Sequence, residues 1–175
     1  VGHSVGTVLA AGFHKQNPDR LISLTLAEAV IGNGRDPKDK QDASISVRAK
    51  DFEELGPARV ARKKTPNSLS PNADPKVIEK AIEFASKVKV TGHLKLAGAL
   101  VRANIFDHVT PLACPGMIIA GSDDRSAPPQ FVKEIADAYP GIVHHTIDGI
   151  GHQIALEKQD TFDGLLCDHL NAAEG

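Results

Sequence analysis

The sequence predicts an α/β fold in which helices cover a parallel sheet. Short aliphatic runs, LISLTL at 21–26 and MIIAG at 117–121, alternate with longer stretches whose apolar residues recur at helical spacing. Strands that alternate with helices along a chain are typical of parallel sheets. A chain of 175 residues is also long enough to bury one core of ordinary size.

The first elements are short and well marked. Val1 is expected to end a strand, and a buried helix is predicted over 5–15 and stops at Asn17-Pro18. The run at 21–26 is predicted to be the next strand. The buried face of the helix is predicted from its apolar residues, which are Val5, Val8, Leu9 and Phe13.

The middle of the chain has a different character. The polar, turn-rich stretch GNGRDPKDKQD predicts a loop that leaves the main domain over 32–72. Asp74-Pro75 then predicts a helix start, with the aspartate as N-cap and proline in the first turn. A second helix is predicted over 93–103. We expect these pieces to form a helical insertion that packs over the core.

The sheet pattern returns near the C-terminus. Strands are predicted over 117–121 and 142–148, with a helix over 129–138 between them. A last helix follows. Its buried side is predicted to carry Phe162, Leu165, Leu166 and Leu170.

Composition excludes several functions. The formal net charge is −2, without the basic excess that nucleic acids or anionic membranes require, so we expect neither as a partner. No apolar run approaches the ~18–20 residues that span a bilayer. Cys114 and Cys167 are too few for a disulfide framework, and free thiols favour a reducing compartment such as the cytoplasm.

One motif carries a specific chemical meaning. Gly2-His3-Ser4-Val5-Gly6 has the form G-x-S-x-G, which places a serine on a tight turn between a strand and a helix. We expect side chains at positions 2 and 6 to collide, because the strand and helix cross closely there. His3 is expected to be a packing residue behind this turn.

A serine needs a base and an orienting carboxylate to become nucleophilic, and candidates for both follow. GSDDRSAPP places Asp123 and Asp124 just after a predicted strand, and GIGHQIALE places His152 in a glycine-rich loop after the next one. The carboxyl ends of adjacent parallel strands lie at one edge of a sheet. His144 and His145 point to opposite faces of a strand, so we expect no metal site from them.

Taken together, the three motifs resemble the C-terminal part of the α/β-hydrolase family, from the nucleophile elbow onward. VGHSVG is similar to the elbow, GSDDRSAPP to the acid loop and GIGHQIALE to the histidine loop. LSPNADPKVIEKA is similar to the cap of the carboxylesterase and 3-oxoadipate enol-lactonase branch. The resemblance implies core segments at 1–31 and 110–175, a helical cap at 32–109, and N-terminal strands that this chain lacks.

The resemblance also implies a catalytic triad and a reaction. Ser4 would be the nucleophile, His152 the base and Asp124, rather than Asp123, the acid, while the main-chain N–H of Val5 would serve the oxyanion hole. The implied activity is hydrolysis of a small ester or lactone through an acyl-enzyme, without cofactor or metal. Alternatives on the same scaffold are a ligand sensor that retains the triad, a perhydrolase and a carbon–carbon bond hydrolase.

Overall fold

The computed structural model describes residues 1–174, so Gly175, the last residue of the predicted core segment, lies outside it. A four-stranded parallel sheet with the order β1-β2-β3-β4 forms its centre, as the sequence predicts. The strands are β1 (Gly2–His3), β2 (Leu24–Ala27), β3 (Gly116–Gly121) and β4 (Val143–Ile147).

Helices fill the connections between these strands, as parallel pairing requires. Residues 1–174 contain seven α-helices: α1 (Val5–Gln16), α2 (Lys38–Lys64), α3 (Pro75–Ser86), α4 (Val90–Arg102), α5 (Pro129–Asp137), α6 (Ile154–Glu157) and α7 (Gln159–Glu174). Short 3₁₀ turns lie at Pro18–Arg20, Thr65–Ser68 and Ile105–Asp107. The predicted start of α3 is confirmed, because the Asp74 side chain accepts a hydrogen bond from the Lys76 N–H.

Both faces of the sheet are covered. All residues of β2 and β3 are buried, and successive residues of β3 pack into different clusters. Ile118 packs with residues of α1 and α5, whereas Ile119 packs with Ile154 of α6 and with partly buried residues of α7. β4 is largely exposed by comparison. Two clusters on opposite faces explain why β3 reads as a continuous apolar run rather than an alternating one.

The sequence-based prediction of a loop over 32–72 is wrong for most of that segment. Helix α2 occupies Lys38–Lys64 and bends at Gly56, where φ is 71° and Pro57 follows. Only Phe52, Val60 and Ala61 of this helix are buried. A helix with so few core residues and a Gly-Pro bend has no apolar period that would reveal it.

Two predicted helix faces also need correction. Leu9 and Phe13 are 61% and 45% exposed, because α1 buries Thr7, Val8 and Ala11 on its other side. In α7, Leu170 is 39% exposed, while Phe162 and Leu165 do pack against the core. The apolar residues of both helices are spread over more than the face that meets the sheet.

The helices α2, α3 and α4 all lie between β2 and β3 in the chain, and α2 packs against both of the others. They occupy the predicted cap segment, whose bounds at 32 and 109 stay a prediction. In the part of the chain that the structure describes, no helix combines the length and apolarity needed to cross a membrane.

Candidate active site

Ser4 lies on the sharp turn between β1 and α1. Its φ of 52° falls in the left-handed region, which non-glycine residues rarely adopt. Strain of this kind persists only where surrounding structure imposes it, and the Ser4 N–H is held by the Ala27 carbonyl oxygen at 3.1 Å. The turn therefore presents the Ser4 side chain at the carboxyl end of the sheet.

The expected crowding at the turn is present at one glycine and absent at the other. A Cβ atom on Gly2 would lie 2.3 Å from the Gly6 carbonyl oxygen, which no side chain could tolerate. A Cβ on Gly6 would meet no described atom within 4 Å. The prediction of a collision at position 6 is therefore wrong for the described residues. A Cβ at position 2 would clash with the backbone of Gly6, but a Cβ at position 6 would lie in open space.

His152 reaches Ser4 from the loop after β4. Its Nε2 atom lies 2.7 Å from the Ser4 Oγ, and its Nδ1 lies 2.6 Å from an Asp124 carboxylate oxygen. The side chains of His152 and Asp124 are 7% and 1% exposed. A serine hydroxyl, an imidazole and a carboxylate thus form one continuous hydrogen-bonded chain, in which the imidazole and the carboxylate are buried and Ser4 is half-buried.

Of the two adjacent aspartates, Asp124 is the one that contacts His152. Its second carboxylate oxygen accepts the main-chain N–H groups of Ser126 and Ala127 at 2.7 and 2.8 Å, which fixes the carboxylate in place. Asp123 instead accepts a hydrogen bond from the Ser70 hydroxyl at 2.8 Å. The acid loop therefore orients the imidazole with one carboxylate and contacts the predicted cap with the other.

Val5 is the first residue of α1. The first N–H groups of a helix have no acceptor within the helix, and the helix dipole makes this end favourable for negative charge. The role of the Val5 N–H in an oxyanion hole stays a prediction; what the structure gives is its place at the start of α1, directly after Ser4.

A buried carboxylate that the sequence did not single out lies beside these residues. Glu28 follows β2, is fully buried and has a φ of 51°. One of its oxygens lies 2.5 Å from His3 Nε2, and the other accepts the Ile154 N–H at 2.9 Å. His3 Nε2 also lies 3.0 Å from the His152 carbonyl oxygen. His3 is therefore part of a polar network and not only a packing residue.

Burial and the contact between the two side chains act against each other in the electrostatics of this pair. Burial raises the pKa of Glu28, and the hydrogen bond from His3 only partly offsets it. The His3 side chain is 43% exposed, and its partial burial alone would lower its pKa, but the hydrogen bond and the negative charge of Glu28 outweigh this effect and raise that pKa. Both groups are thus shifted towards holding a proton.

The segment at 68–70 starts at the last residue of the 3₁₀ turn Thr65–Ser68 and lies against the histidine loop. The Ser68 carbonyl oxygen accepts the His152 N–H at 2.7 Å, and the Ser70 N–H donates to Glu157 at 2.8 Å. Arg125 of the acid loop donates to the Leu69 carbonyl oxygen at 3.1 Å. The predicted cap and the loops that carry Asp124 and His152 therefore share hydrogen bonds.

Within residues 1–174, no group of three or more His, Cys, Asp or Glu side chains is arranged to hold a metal ion. Cys114 and Cys167 are free thiols, the second of them exposed.

Comparison with solved structures decides the fold. A thermophilic esterase from Thermogutta terrifontis superimposes with a TM-score of 0.87 at 22% identity, over 99% of this chain and 64% of that one. The enol-lactonase from Burkholderia xenovorans LB400 gives 0.82 at 19% identity, over 97% and 64% of the two chains. The chain has the α/β-hydrolase fold. The resemblance drawn from the three motifs is thereby confirmed for the fold.

Other α/β-hydrolase structures and one curated relative agree. The esterase EaEST from Exiguobacterium antarcticum superimposes with a TM-score of 0.81 at 16% identity, over 97% of this chain and 65% of that one. RutD of Klebsiella pneumoniae (strain 342), named as a carbamate hydrolase, is 32% identical over 79 residues, which are 45% of this chain and 30% of RutD. No family model matches the sequence. The chain spans less than two thirds of the length of these proteins.

Proposed function

We propose that the protein is a serine hydrolase that cleaves a carboxylic ester or lactone through an acyl-enzyme. In this proposal Ser4 is the nucleophile, His152 the general base and Asp124 the carboxylate that orients the imidazole. The observation that carries it is the chain of contacts from Ser4 Oγ to His152 Nε2 at 2.7 Å and from His152 Nδ1 to Asp124 at 2.6 Å.

The chemistry follows from these contacts. His152 takes the proton of the Ser4 hydroxyl as its oxygen attacks the substrate carbonyl carbon, and the tetrahedral intermediate places negative charge on the carbonyl oxygen. The Val5 N–H stabilises that charge at the start of α1. His152 then gives its proton to the leaving alkoxide, which departs as the alcohol of an ester or, in a lactone, stays attached to the acyl group as a free hydroxyl. Water, activated by the same imidazole, releases the acid and restores Ser4.

The substrate class is supported by the proteins with which the chain compares. Two of the structural neighbours are named esterases, one is an enol-lactonase, and RutD is named as a carbamate hydrolase. All three names describe hydrolysis next to a carbonyl group. Esters and lactones need no cofactor for this chemistry, since serine and imidazole supply both the nucleophile and the proton transfers.

The predicted cap bears on the size of the substrate. The segment at 68–70 is hydrogen-bonded to His152 and to Glu157, so this part of the cap lies next to the histidine loop. A cap at this position favours a small to medium acyl group of apolar character over a polymer or a long lipid. The proposed substrate is therefore a small ester or lactone.

The test is turnover of p-nitrophenyl acetate by the purified protein and by Ser4→Ala. We expect multiple turnovers with wild type and a fall in kcat of about 1,000-fold or more with Ser4→Ala. Ser46→Ala is the matched control, because the Ser46 hydroxyl lies on the exposed side of α2 and bonds only to its own helix. Turnover that survives Ser4→Ala, or a single turnover by wild type, would contradict the proposal.

A further inference from the structure

We infer that Glu28 and His3 form a positioning pair that fixes the main chain around His152. The inference rests on the proposed function, since it assigns the pair a role in placing the general base. Neither residue touches Ser4 Oγ or the His152 imidazole nitrogens by hydrogen bond. They act on the backbone of the histidine loop.

The contacts hold that backbone at two points. His3 Nε2 lies 3.0 Å from the His152 carbonyl oxygen, and Glu28 accepts the Ile154 N–H at 2.9 Å. The same Glu28 carboxylate lies 2.5 Å from His3 Nε2 through its other oxygen. One buried carboxylate thus ties the end of β1 to the loop after β4.

The chemistry of the acceptors assigns the proton on His3. A main-chain carbonyl oxygen can only accept, so His3 Nε2 must carry the hydrogen that it shares between the His152 carbonyl and Glu28. The His152 carbonyl oxygen therefore fixes the tautomer of His3, and Glu28 holds the direction of its ring. A carboxylate–histidine pair of this kind stands beside the Asp124–His152 pair, but its histidine donates to the main chain.

Burial and backbone strain single out Glu28 for such a role. A carboxylate with no exposed surface costs free energy unless its hydrogen bonds are made, and both Glu28 oxygens are bonded. Ser4 and Glu28 are also the two non-glycine residues with positive φ in the described chain, at 52° and 51°. Backbone strain and the burial of an acid both cost free energy, and a residue that only fills space next to the Ser4 turn would need neither.

The histidine loop needs outside support. Gly149 and Gly151 precede His152, and glycines leave the chain more conformations to lose. A displacement of about 1 Å in a reacting group can lower the rate by about 100-fold. Hydrogen bonds at the His152 carbonyl and the Ile154 N–H restrict the loop on the C-terminal side of the glycines.

The test compares two amides at position 3. Glutamine is long enough to place its N–H where His3 Nε2 stands, whereas asparagine is one methylene shorter and falls short of it. We expect His3→Asn to lower kcat for p-nitrophenyl acetate by about 10-fold or more, with KM changed by less than about 2-fold. His3→Gln should keep kcat within about 3-fold of wild type. His144→Asn on the exposed strand β4 is the control and should keep the wild-type kcat.

The outcomes separate positioning from general stability. Melting temperatures identify any variant that fails to fold, and Glu28→Gln then takes its place. The amide keeps one of the two acceptor oxygens and loses the other, so one of the two Glu28 hydrogen bonds is lost and kcat should fall similarly. Equal kcat values for folded His3→Asn and His3→Gln, or a wild-type kcat for folded Glu28→Gln, would overturn the inference alone. Wild type without Ser4-dependent turnover would overturn the proposed function and this inference with it.

Discussion

At the level of single residues, the triad candidates could be predicted from local motifs in the sequence, whereas Glu28 beside them could not. Ser4, Asp124 and His152 each lie in a short motif with glycines or prolines at fixed offsets, because tight turns demand those residues locally. Glu28 lies in no such motif. Its role depends on the pairing of His3 with Ala27 in the sheet, which brings Glu28 beside the end of β1.

The same pair predicts a pH dependence of stability. The folded-state pKa of His3 is raised above its ordinary 6.5, by the hydrogen bond and charge of Glu28 against the effect of burial, with smaller contributions from the His152 carbonyl and Asp124. A raised pKa means that the protonated form is favoured by folding. The stabilisation of the folded state by His3 is therefore complete below about pH 6.5, the ordinary pKa of histidine, and is lost as the pH rises through the pKa of His3 in the folded state.

The measurement is the melting temperature of wild type and His3→Gln at low ionic strength. We expect wild type to exceed the variant by more at about pH 6 than at about pH 9. His144→Gln should show the opposite trend, since the partial burial of this largely exposed residue and then the neighbouring His145 lower the pKa of His144. A difference in melting temperature between wild type and His3→Gln that does not change with pH would contradict the charge coupling between His3 and Glu28.

At the level of elements, the sequence predicted the strands and the helices with strong apolar periods and missed α2. Helix α2 is long, but most of its residues face solvent and Gly56-Pro57 interrupts it. It packs against α3 and α4, the next two helices along the chain, but buries only Phe52, Val60 and Ala61. Three buried residues in a helix of 27 make no regular apolar period, so reasoning from spacing could not find the helix.

The contact between the predicted cap and the histidine loop yields an element-level prediction. A Cβ on Gly151 would lie 2.4 Å from the Leu69 carbonyl carbon and the Ser70 nitrogen, which are backbone atoms and cannot rotate away. Gly151→Ala must therefore push the segment at 68–70 and the histidine loop apart. We expect kcat/KM for p-nitrophenyl acetate to fall by about 10-fold or more.

Gly164→Ala is the matched control, because a Cβ at that position in α7 meets no described atom within 4 Å. It should retain the wild-type kcat/KM. Wild-type activity in Gly151→Ala would show that the histidine loop does not depend on close contact with the cap segment.

At the level of the whole molecule, the site is assembled from the carboxyl ends of all four strands. Ser4 follows β1, Glu28 follows β2, Asp124 follows β3 and His152 follows β4. Ser4 and His152 are 148 residues apart in sequence, yet the Ser4 Oγ and the His152 Nε2 are 2.7 Å apart. A parallel sheet brings such distant residues together because every strand ends at the same edge. The proposed reactivity of Ser4 therefore depends on residues from all four strands of the described sheet.

The most direct test of the account is covalent labelling of the folded protein with a fluorophosphonate, followed by peptide mass spectrometry. We expect one phosphonyl group on the peptide that contains Ser4, no label on that peptide in Ser4→Ala, and labelling slowed by about 100-fold or more in His152→Gln. Ser46→Ala should label like wild type. A label on another serine, or equal rates in wild type and His152→Gln, would contradict the assignment of Ser4 as a nucleophile activated by His152.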